Sequence, residues 1–481
     1  MTYQKILDVS KRRGIVYPSF ELYGGVSGFV DYGPTGVRIK KNIEDALRRI
    51  YVVEHGCLEV ECPTLSPEDV WVASGHVKNF TDFTTECLKC GEPYRADHLL
   101  EEKLKKGVEG KTLPEIEAII QDAGVSCPKC GGKLDKLYDY NLMFQTFVGP
   151  GKYKVTAYLR PETAQTTYIG FKRLWEVARK KLPFGVLQMG RSYRNEISPR
   201  QGMIRLREFN QAEIQFFMNP DKKEADLSGE MGDQTASILA KDDRELTSTF
   251  RKAYDEGIIP NSFIAYHLAV AMNFFTGIGI SREKLRLRQH KDTERSFYSS
   301  DTWDVEFMSD SLGRIELVGI ADRGDYDLSA HIKLSKQDLS VTEDGKKFVP
   351  HVIEVAYGID RPFYCVLESC YSEDGERSYF RFPKAVSPYA AAVFPLVNKD
   401  GIYEKACEVY DSLTKNGSYS LMDVSGSIGK KYARADEIGV PCCITVDYDT
   451  LKDDTVTVRD RDTKKQERIQ ITDIISFLGG K

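Results

Sequence analysis

The feature that most limits how this chain can fold is a pair of short cysteine turns, Cys87-Leu-Lys-Cys90 and Cys127-Pro-Lys-Cys130. Each turn presents two thiolates, and two such turns complete a tetrahedral site of four sulfurs. For the turns to meet, residues 84–139 must close on themselves as a module, with the stretch between the turns extruded as a partly helical hairpin. Gly91 and Gly131-Gly132 give the backbone freedom just after the second ligand of each turn. The predicted metal ligands are Cys87, Cys90, Cys127 and Cys130, and the predicted ion is a structural zinc. Redox pairing or free thiols are the competing readings. The other seven of the eleven cysteines follow no framework spacing, and the start of the chain has no basic stretch leading into an apolar one. Metal binding is therefore favoured over disulfides, and a cytoplasmic location is expected. His98 lies nearby, but four sulfurs already satisfy the ion.

At 481 residues the chain is long enough for two to four domains of roughly 100–200 residues each. No apolar run approaches the roughly 20 residues of a membrane span. The net charge of -5 argues against a protein that coats nucleic acid nonspecifically. Local basic patches at Lys11-Arg12-Arg13, Lys40-Lys41, Arg48-Arg49 and Arg179-Lys180-Lys181 read singly as solvated helix faces. Pro34 opens an amphipathic helix through Val37, Ile43, Leu47, Ile50 and Tyr51, followed by a strand that runs into Cys62-Pro63. Residues 218–300 are polar and read as a mainly helical insertion into a strand-rich domain. Near 386 the pattern changes to the alternating strands and helices of a small α/β domain.

The stretch Arg191-Ser-Tyr-Arg194-Asn-Glu196, a loop through Arg205, and Leu206 to Glu213 read as strand, loop and strand. Alternation places Arg207, Phe209, Gln211 and Glu213 on one face. Arginines beside an aromatic ring suit a nucleotide, because guanidinium pairs phosphate and the ring stacks on a base. A hairpin of surface ion pairs is the plainer alternative. Gly358-Ile-Asp-Arg361-Pro, at a strand-to-helix junction, lets the backbone and an arginine approach phosphate. A Gly-x-x-x-x-Gly-Lys P-loop is missing. Lys333-Leu-Ser-Lys336-Gln337 lacks the His-x-Gly-His partner of a class I signature and reads as chance.

In chain order, Cys62-Pro63 after the long helix, the Arg191–Glu213 hairpin and Gly358–Pro362 resemble motifs 1, 2 and 3 of the class II aminoacyl-tRNA synthetases. Arg160-Pro-Glu-Thr-Ala-Gln165, Arg194-Asn-Glu-Ile-Ser-Pro-Arg200, Arg95-Ala-Asp-His-Leu99, Asn141-Leu-Met-Phe144, Gly319-Ile-Ala-Asp-Arg323 and Thr455 to Asp462 resemble the glycyl-tRNA synthetases, closest to their archaeal and eukaryotic branch. The resemblance runs from the first helix to the last residues. It implies activation of glycine by ATP and its transfer to tRNA(Gly).

The same resemblance implies site roles. Arg194 pairs the α-phosphate and, with Arg361, is the expected catalytic group; Arg205 and Arg361 hold the β/γ end of ATP. Phe209 stacks on adenine, Glu196 reads its amino group, and Glu316 lies near Mg2+ and phosphate. Glu162, Glu213 and Glu354 receive the glycine ammonium, with Arg323 also on the substrate. Such a site rejects larger amino acids by steric exclusion, so an editing domain is not required. One departure is clear. The family usually has a serine two residues after the third glutamate, and this chain has Ala356. The run His290 to Tyr298 also strays from the family pattern.

The implied architecture is an α+β catalytic domain on an antiparallel sheet, with zinc and helical insertions, followed by an α/β anticodon-binding domain. The expected boundaries are 1–83, 84–139, 140–217, 218–300, 301–385 and 386–481. Ser427 to Gly439 and Arg459-Asp-Arg461 carry the likeness of the last domain, where basic residues beside strands suit splayed single-stranded bases. A homodimer through the long helix and the strand to Pro63 is expected, with no membrane association. Two competing readings are a related class II enzyme, such as the prolyl or threonyl one, and a catalytically silent paralogue. The three glutamates oppose the first, and the phosphate-pairing arginines oppose the second.

Overall fold

The alternation from Glu208 to Met218 builds the centre of the molecule. Ala212, Ile214, Phe216 and Met218 face one side and enter the main apolar core. Phe209, Gln211 and Glu213 face the other side and line a cavity. The computed structural model describes residues 2–104, 111–199, 202–292, 294, 299–375 and 377–479. Arg200 and residues 295–298, both within runs singled out above, lie outside the described residues.

Nine strands form the central sheet: β1 (Leu58–Val60), β2 (Phe184–Tyr193), β3 (Glu208–Met218), β4 (Thr235–Leu239), β5 (Glu245–Thr249), β6 (Leu285–Gln289), β7 (Asp301–Ser309), β8 (Gly313–Gly324) and β9 (His351–Gly358). Their order is β5-β4-β6-β7-β8-β9-β3-β2-β1. Neighbours are antiparallel except β4 with β6 and β2 with β1. One face is covered by α1 (Thr2–Arg12), α2 (Pro34–Arg48) and α3 (Ser262–Gly277). The buried stripe of α2 is Ile39, Ile43 and Leu47, continued by Tyr51 in the wider turn that follows. Residues lifted from water in this way contribute about 1.5–3 kcal/mol each. On the opposite face Phe217, Val186 and Val352 pack with Tyr168, Phe171 and Leu328, the last from α4 (Tyr326–Ser335). Strand β9 leads into α5 (Asp360–Cys370).

The expectation of a helical insertion over 218–300 is corrected by the structure. This segment supplies β4, β5 and β6 to the edge of the main sheet, and α3 is buried along most of its length in the same core. The polar residues that suggested an insertion lie in the turns and on the exposed sides of the strands. The helix itself is apolar on nearly every side, which marks an interior element.

Residues 87–137 gather a small apolar core of their own around Tyr94, Leu99, Leu100 and Ile116. At the other end of the chain, β10 (Ala391–Pro395), β11 (Ser420–Met422), β12 (Cys442–Val446), β13 (Thr455–Asp460) and β14 (Gln466–Gln470) form a sheet of order β11-β10-β12-β13-β14. Ala391 and Val393 pack beneath α6 (Ile402–Lys415). Ala392 and Phe394 pack beneath α7 (Ile428–Glu437). The period of two on β10 thus places the two helices on opposite faces.

Candidate active site

A cavity of about 330 Å³ opens on the polar face of β3, β8 and β9. Strand register orders its walls. Gln211 of β3 stands opposite Gly358 of β9, Glu213 opposite Ala356, and Gln215 opposite Glu354. The start of β3 and the end of β9 therefore bring Phe209 near Arg361. Four residues along a strand, roughly 13 Å, separate Phe209 from Glu213.

The first end of the cavity is basic. Arg194, Arg205 and Arg361 all line it, with Phe209, Glu196 and Glu316. Two of the arginines are held by acids. Arg205 Nε is 3.0 Å from Glu196 Oε2, and Arg361 Nη1 is 3.3 Å from Glu316 Oε2. Arg194 donates to the Pro161 carbonyl at 3.2 Å, and its guanidinium lies 5.2 Å from the centre of the Phe209 ring. Asp360, buried at the start of α5, accepts from Asn210 Nδ2 at 2.9 Å and from the Tyr32 hydroxyl. It thereby ties the motif 3 turn to β3. Asp304 and His290 complete this end, with His290 Nε2 2.6 Å from the carboxylate. Burial and the neighbouring Glu316 charge push Asp304 up to about 6, against the opposing pull of His290.

The second end is acidic. Glu162, Glu213 and Glu354 converge there, each buried. Burial and the charges of Glu354 and Glu162 push Glu213 up to about 8, although Thr163 donates to its Oε2 from the backbone at 3.0 Å and from the hydroxyl at 2.6 Å. Burial also raises Glu354, and it prevails over the Arg323 guanidinium 3.0 Å away. Glu162 goes the other way. Burial would raise it, but His76, 3.5 Å away, and the Arg323 charge hold it below the usual carboxylate range. One end of the cavity thus suits a polyphosphate and a base, and the other suits a small cation.

The chain resembles known proteins along nearly its whole length. Residues 152–370 match the family described as tRNA synthetase class II core domain (G, H, P, S and T), and residues 390–481 match the anticodon binding domain. A glycine–tRNA ligase of Methanocaldococcus jannaschii is 42% identical over 99% of this chain and 98% of its own length. That of Pyrococcus furiosus is 42% identical over 98% and 97%. The chain belongs to the glycine–tRNA ligase family. Among solved structures, a Giardia lamblia prolyl-tRNA synthetase in complex with prolyl-adenylate superposes with a TM-score of 0.62 at 16% identity, covering 98% of this chain and 74% of that one. A structure described as the RNA binding domain of threonyl-tRNA synthetase from Cryptosporidium parvum superposes at 0.61 and 18% identity, covering 98% and 96%. At those identities the likeness is one of fold.

Within the glycine–tRNA ligase frame, most of the residues named from the sequence meet in the one cavity. Arg323 and Arg207 differ. Arg323 is not among the residues lining the cavity; it lies behind the glutamates, its guanidinium taken up by Asp327 and Glu354. Arg207 lies just ahead of β3 and leaves the cavity, donating to the Ser27 and Glu196 carbonyls at 2.8 and 3.1 Å. Arg459 and Arg461, read as basic residues suited to single-stranded bases, are buried. Arg459 pairs with Asp436 at 3.0 Å, and Arg461 donates to the Phe382 and Gly439 carbonyls. Both guanidiniums are engaged by protein acceptors, which sets these two arginines apart from freely exposed basic residues.

The four cysteine sulfurs named from spacing lie within 4.8 Å of one another. Cys87 and Cys130 are 3.5 Å apart, Cys90 and Cys127 3.7 Å. Four thiolates about 2.3 Å from one tetrahedral ion would be roughly 3.8 Å apart, so the set fits such an ion. The module touches the cavity wall. Ser198 donates to the Pro93 carbonyl at 3.1 Å, and Arg205 Nη1 is 3.4 Å from His98 Nε2.

Sequence reasoning missed His76, Asp304 and Asp327. His76 and Asp304 carry no local signal. Nor does Asp327: it follows Arg323 by four residues, but Arg323 lies at the end of β8 and Asp327 on the first turn of α4, so the i,i+4 pairing of a single helix does not apply.

Proposed function

We propose that this chain activates glycine with ATP to glycyl-adenylate and transfers the glycine to the 3′ end of tRNA(Gly). The observation that carries this reading is the division of a single cavity into an arginine end and a three-glutamate end. In the first step a glycine carboxylate oxygen bonds to the α-phosphorus while the bond to the departing pyrophosphate breaks. The nucleophile is already ionised, so no general base is needed, and the protein contributes positioning and electrostatic stabilisation.

Arg194 pairs the α-phosphate, where negative charge develops. Arg205 and Arg361 exchange their present carboxylate partners for the β/γ-phosphates. The exchange frees Glu196 to accept from the adenine amino group, and Phe209 stacks on the base. Glu316 and Asp304, whose oxygens both approach Gly319, would hold Mg2+, which neutralises polyphosphate oxygens. Glu162, Glu213 and Glu354 receive the ammonium, and Arg323 supports them from behind. Glu213 favours its protonated form until the ammonium supplies the balancing charge. Exclusion by overlap is the route by which such a pocket rejects a larger substrate, and Ala356 and Gly319 on the pocket floor leave slightly more room than a serine would at 356.

The cysteine site holds a structural zinc, in keeping with a closed four-thiolate set. The C-terminal sheet reads the anticodon. Helix α2 and the strand to Pro63 form the interface of a homodimer. The chain works in the cytoplasm, where charged tRNA is consumed. No described helix is long and apolar enough to cross a membrane. The direct test is ATP–pyrophosphate exchange with glycine, alanine, serine, proline and threonine offered separately. Exchange that depends on glycine supports the reading; no exchange with any of them, from zinc-replete protein with magnesium, overturns it.

A further inference from the structure

Behind the glycine end of the cavity lies a carboxylate that never reaches it. Asp327, on the first turn of α4, is 1% exposed and absent from the cavity wall. Its two oxygens accept from Arg323 Nε at 2.7 Å and Nη2 at 2.8 Å, a two-pronged pairing that fixes the guanidinium plane. The remaining arm, Nη1, reaches Glu354 Oε2 at 3.0 Å. Asp327 Oδ1 also accepts from Gln165 Nε2 at 2.8 Å, and the same amide nitrogen donates to Glu162 Oε1 at 2.9 Å. His331, one turn further along α4, meets the Gln165 oxygen at 2.9 Å. Carboxylates only accept, so the amide nitrogen faces Asp327 and Glu162, and the amide oxygen is left to His331.

One buried aspartate therefore reaches two of the three glutamates by separate routes, to Glu354 through Arg323 and to Glu162 through Gln165. Its charge matters as much as its shape. Arg323 carries a single positive charge within 4 Å of three carboxylates, those of Asp327, Glu354 and Glu162, the last at 3.9 Å. With Asp327 taking the guanidinium in a fork, less of that charge is left to neutralise the glutamates that face the cavity. We infer that Asp327 is a positioning residue for glycine: through Arg323 and Gln165 it keeps Glu354 and Glu162 aimed at the ammonium, and its own charge offsets that of Arg323. This rests on the assignment of those glutamates to glycine.

The test is ATP–pyrophosphate exchange with full-length wild type, Asp327→Asn and Gln165→Met, with KM measured separately for glycine and ATP. Asp327→Asn keeps the shape but removes the charge and one acceptor; Gln165→Met cuts only the route to Glu162. The expected result is a glycine KM raised about tenfold or more in Asp327→Asn and about threefold or more in Gln165→Met. The ATP KM should stay within about threefold in both, and the double variant should lose less than the product of the two. A glycine KM within about twofold of wild type, or equal rises for glycine and ATP, overturns the inference. If Asp327→Asn does not fold, an unchanged glycine KM in Gln165→Met overturns it alone. Exchange by wild type that ignores glycine removes the assignment on which the inference stands.

Discussion

Ala356 stands directly opposite Glu213 in the sheet, and on its other side directly opposite Gly319. All three residues line the cavity, so a row across three strands forms part of its floor. The family's usual serine is replaced at the middle of that row. Ala356→Ser should restore a hydroxyl beside Glu213 and narrow the floor. One neutral hydrogen bond, about 0.5–1.5 kcal/mol, corresponds to a glycine KM lowered roughly two- to tenfold. Exchange supported by alanine should fall at the same time. An unchanged ratio of glycine to alanine activity would remove position 356 from specificity.

Glu213 should make glycine binding depend on pH. Its folded-state value of about 8 lies above the ordinary carboxylate range. A raised value means that its contribution to stability is complete at acid pH and is lost as the pH rises through about 8. The ammonium binds best to the ionised form, so the glycine KM should fall up to about tenfold between pH 6.5 and 8. Thermal stabilisation by glycine should grow over the same interval. Glu213→Gln should flatten the KM profile; a slope that survives this change would assign the proton to another group.

Arg194 should matter to chemistry more than to binding. It lies between the Phe209 ring and the Pro161 carbonyl, poised over the basic end of the cavity. Arg194→Ala should lower the single-turnover rate of adenylate formation by about a hundredfold or more, the range seen when one charge-stabilising donor is removed. Near-normal activation would exclude it from the phosphoryl centre.

The cysteine module should couple metal to activity. Zinc analysis should return about one ion per chain. Cys127→Ser, or prolonged chelation, should increase amide exchange across the module and lower the exchange rate with ATP. The reason is contact: His98 and Pro93 of the module touch Arg205 and Ser198 beside the cavity. Full activity in a zinc-free, locally unfolded module would show that this contact is dispensable.

Much of this site could be read from the chain alone, for definite reasons. Phe209 and Glu213 share a strand face because side chains alternate, and the cavity lining follows that period. The same rule misplaced Arg207, because its strand begins only at Glu208 and the preceding residue turns toward Ser27. The helix of residues 262–277 was missed as an interior element because its polar flanks dominated the segment's composition. His76 and Asp304 had no sequence signal, since the partner of His76 comes from a distant segment and that of Asp304 lies just past the end of the neighbouring strand.

The sequence by itself determined what depends on neighbours along the chain: the two cysteine turns, the alternation of β3, the amphipathic stripe of α2 and the family to which the runs of residues belong. The tertiary structure decided what depends on distance through space. Strand order β8-β9-β3 brings Glu354 beside Glu213, and the turn after Arg160 adds Glu162. Burial and that convergence together raise Glu213, and the same neighbourhood gives Arg323 and Asp327 their partners. Desolvation and Coulomb attraction act over a few ångströms between folded neighbours, and the order of residues along a chain does not contain those distances.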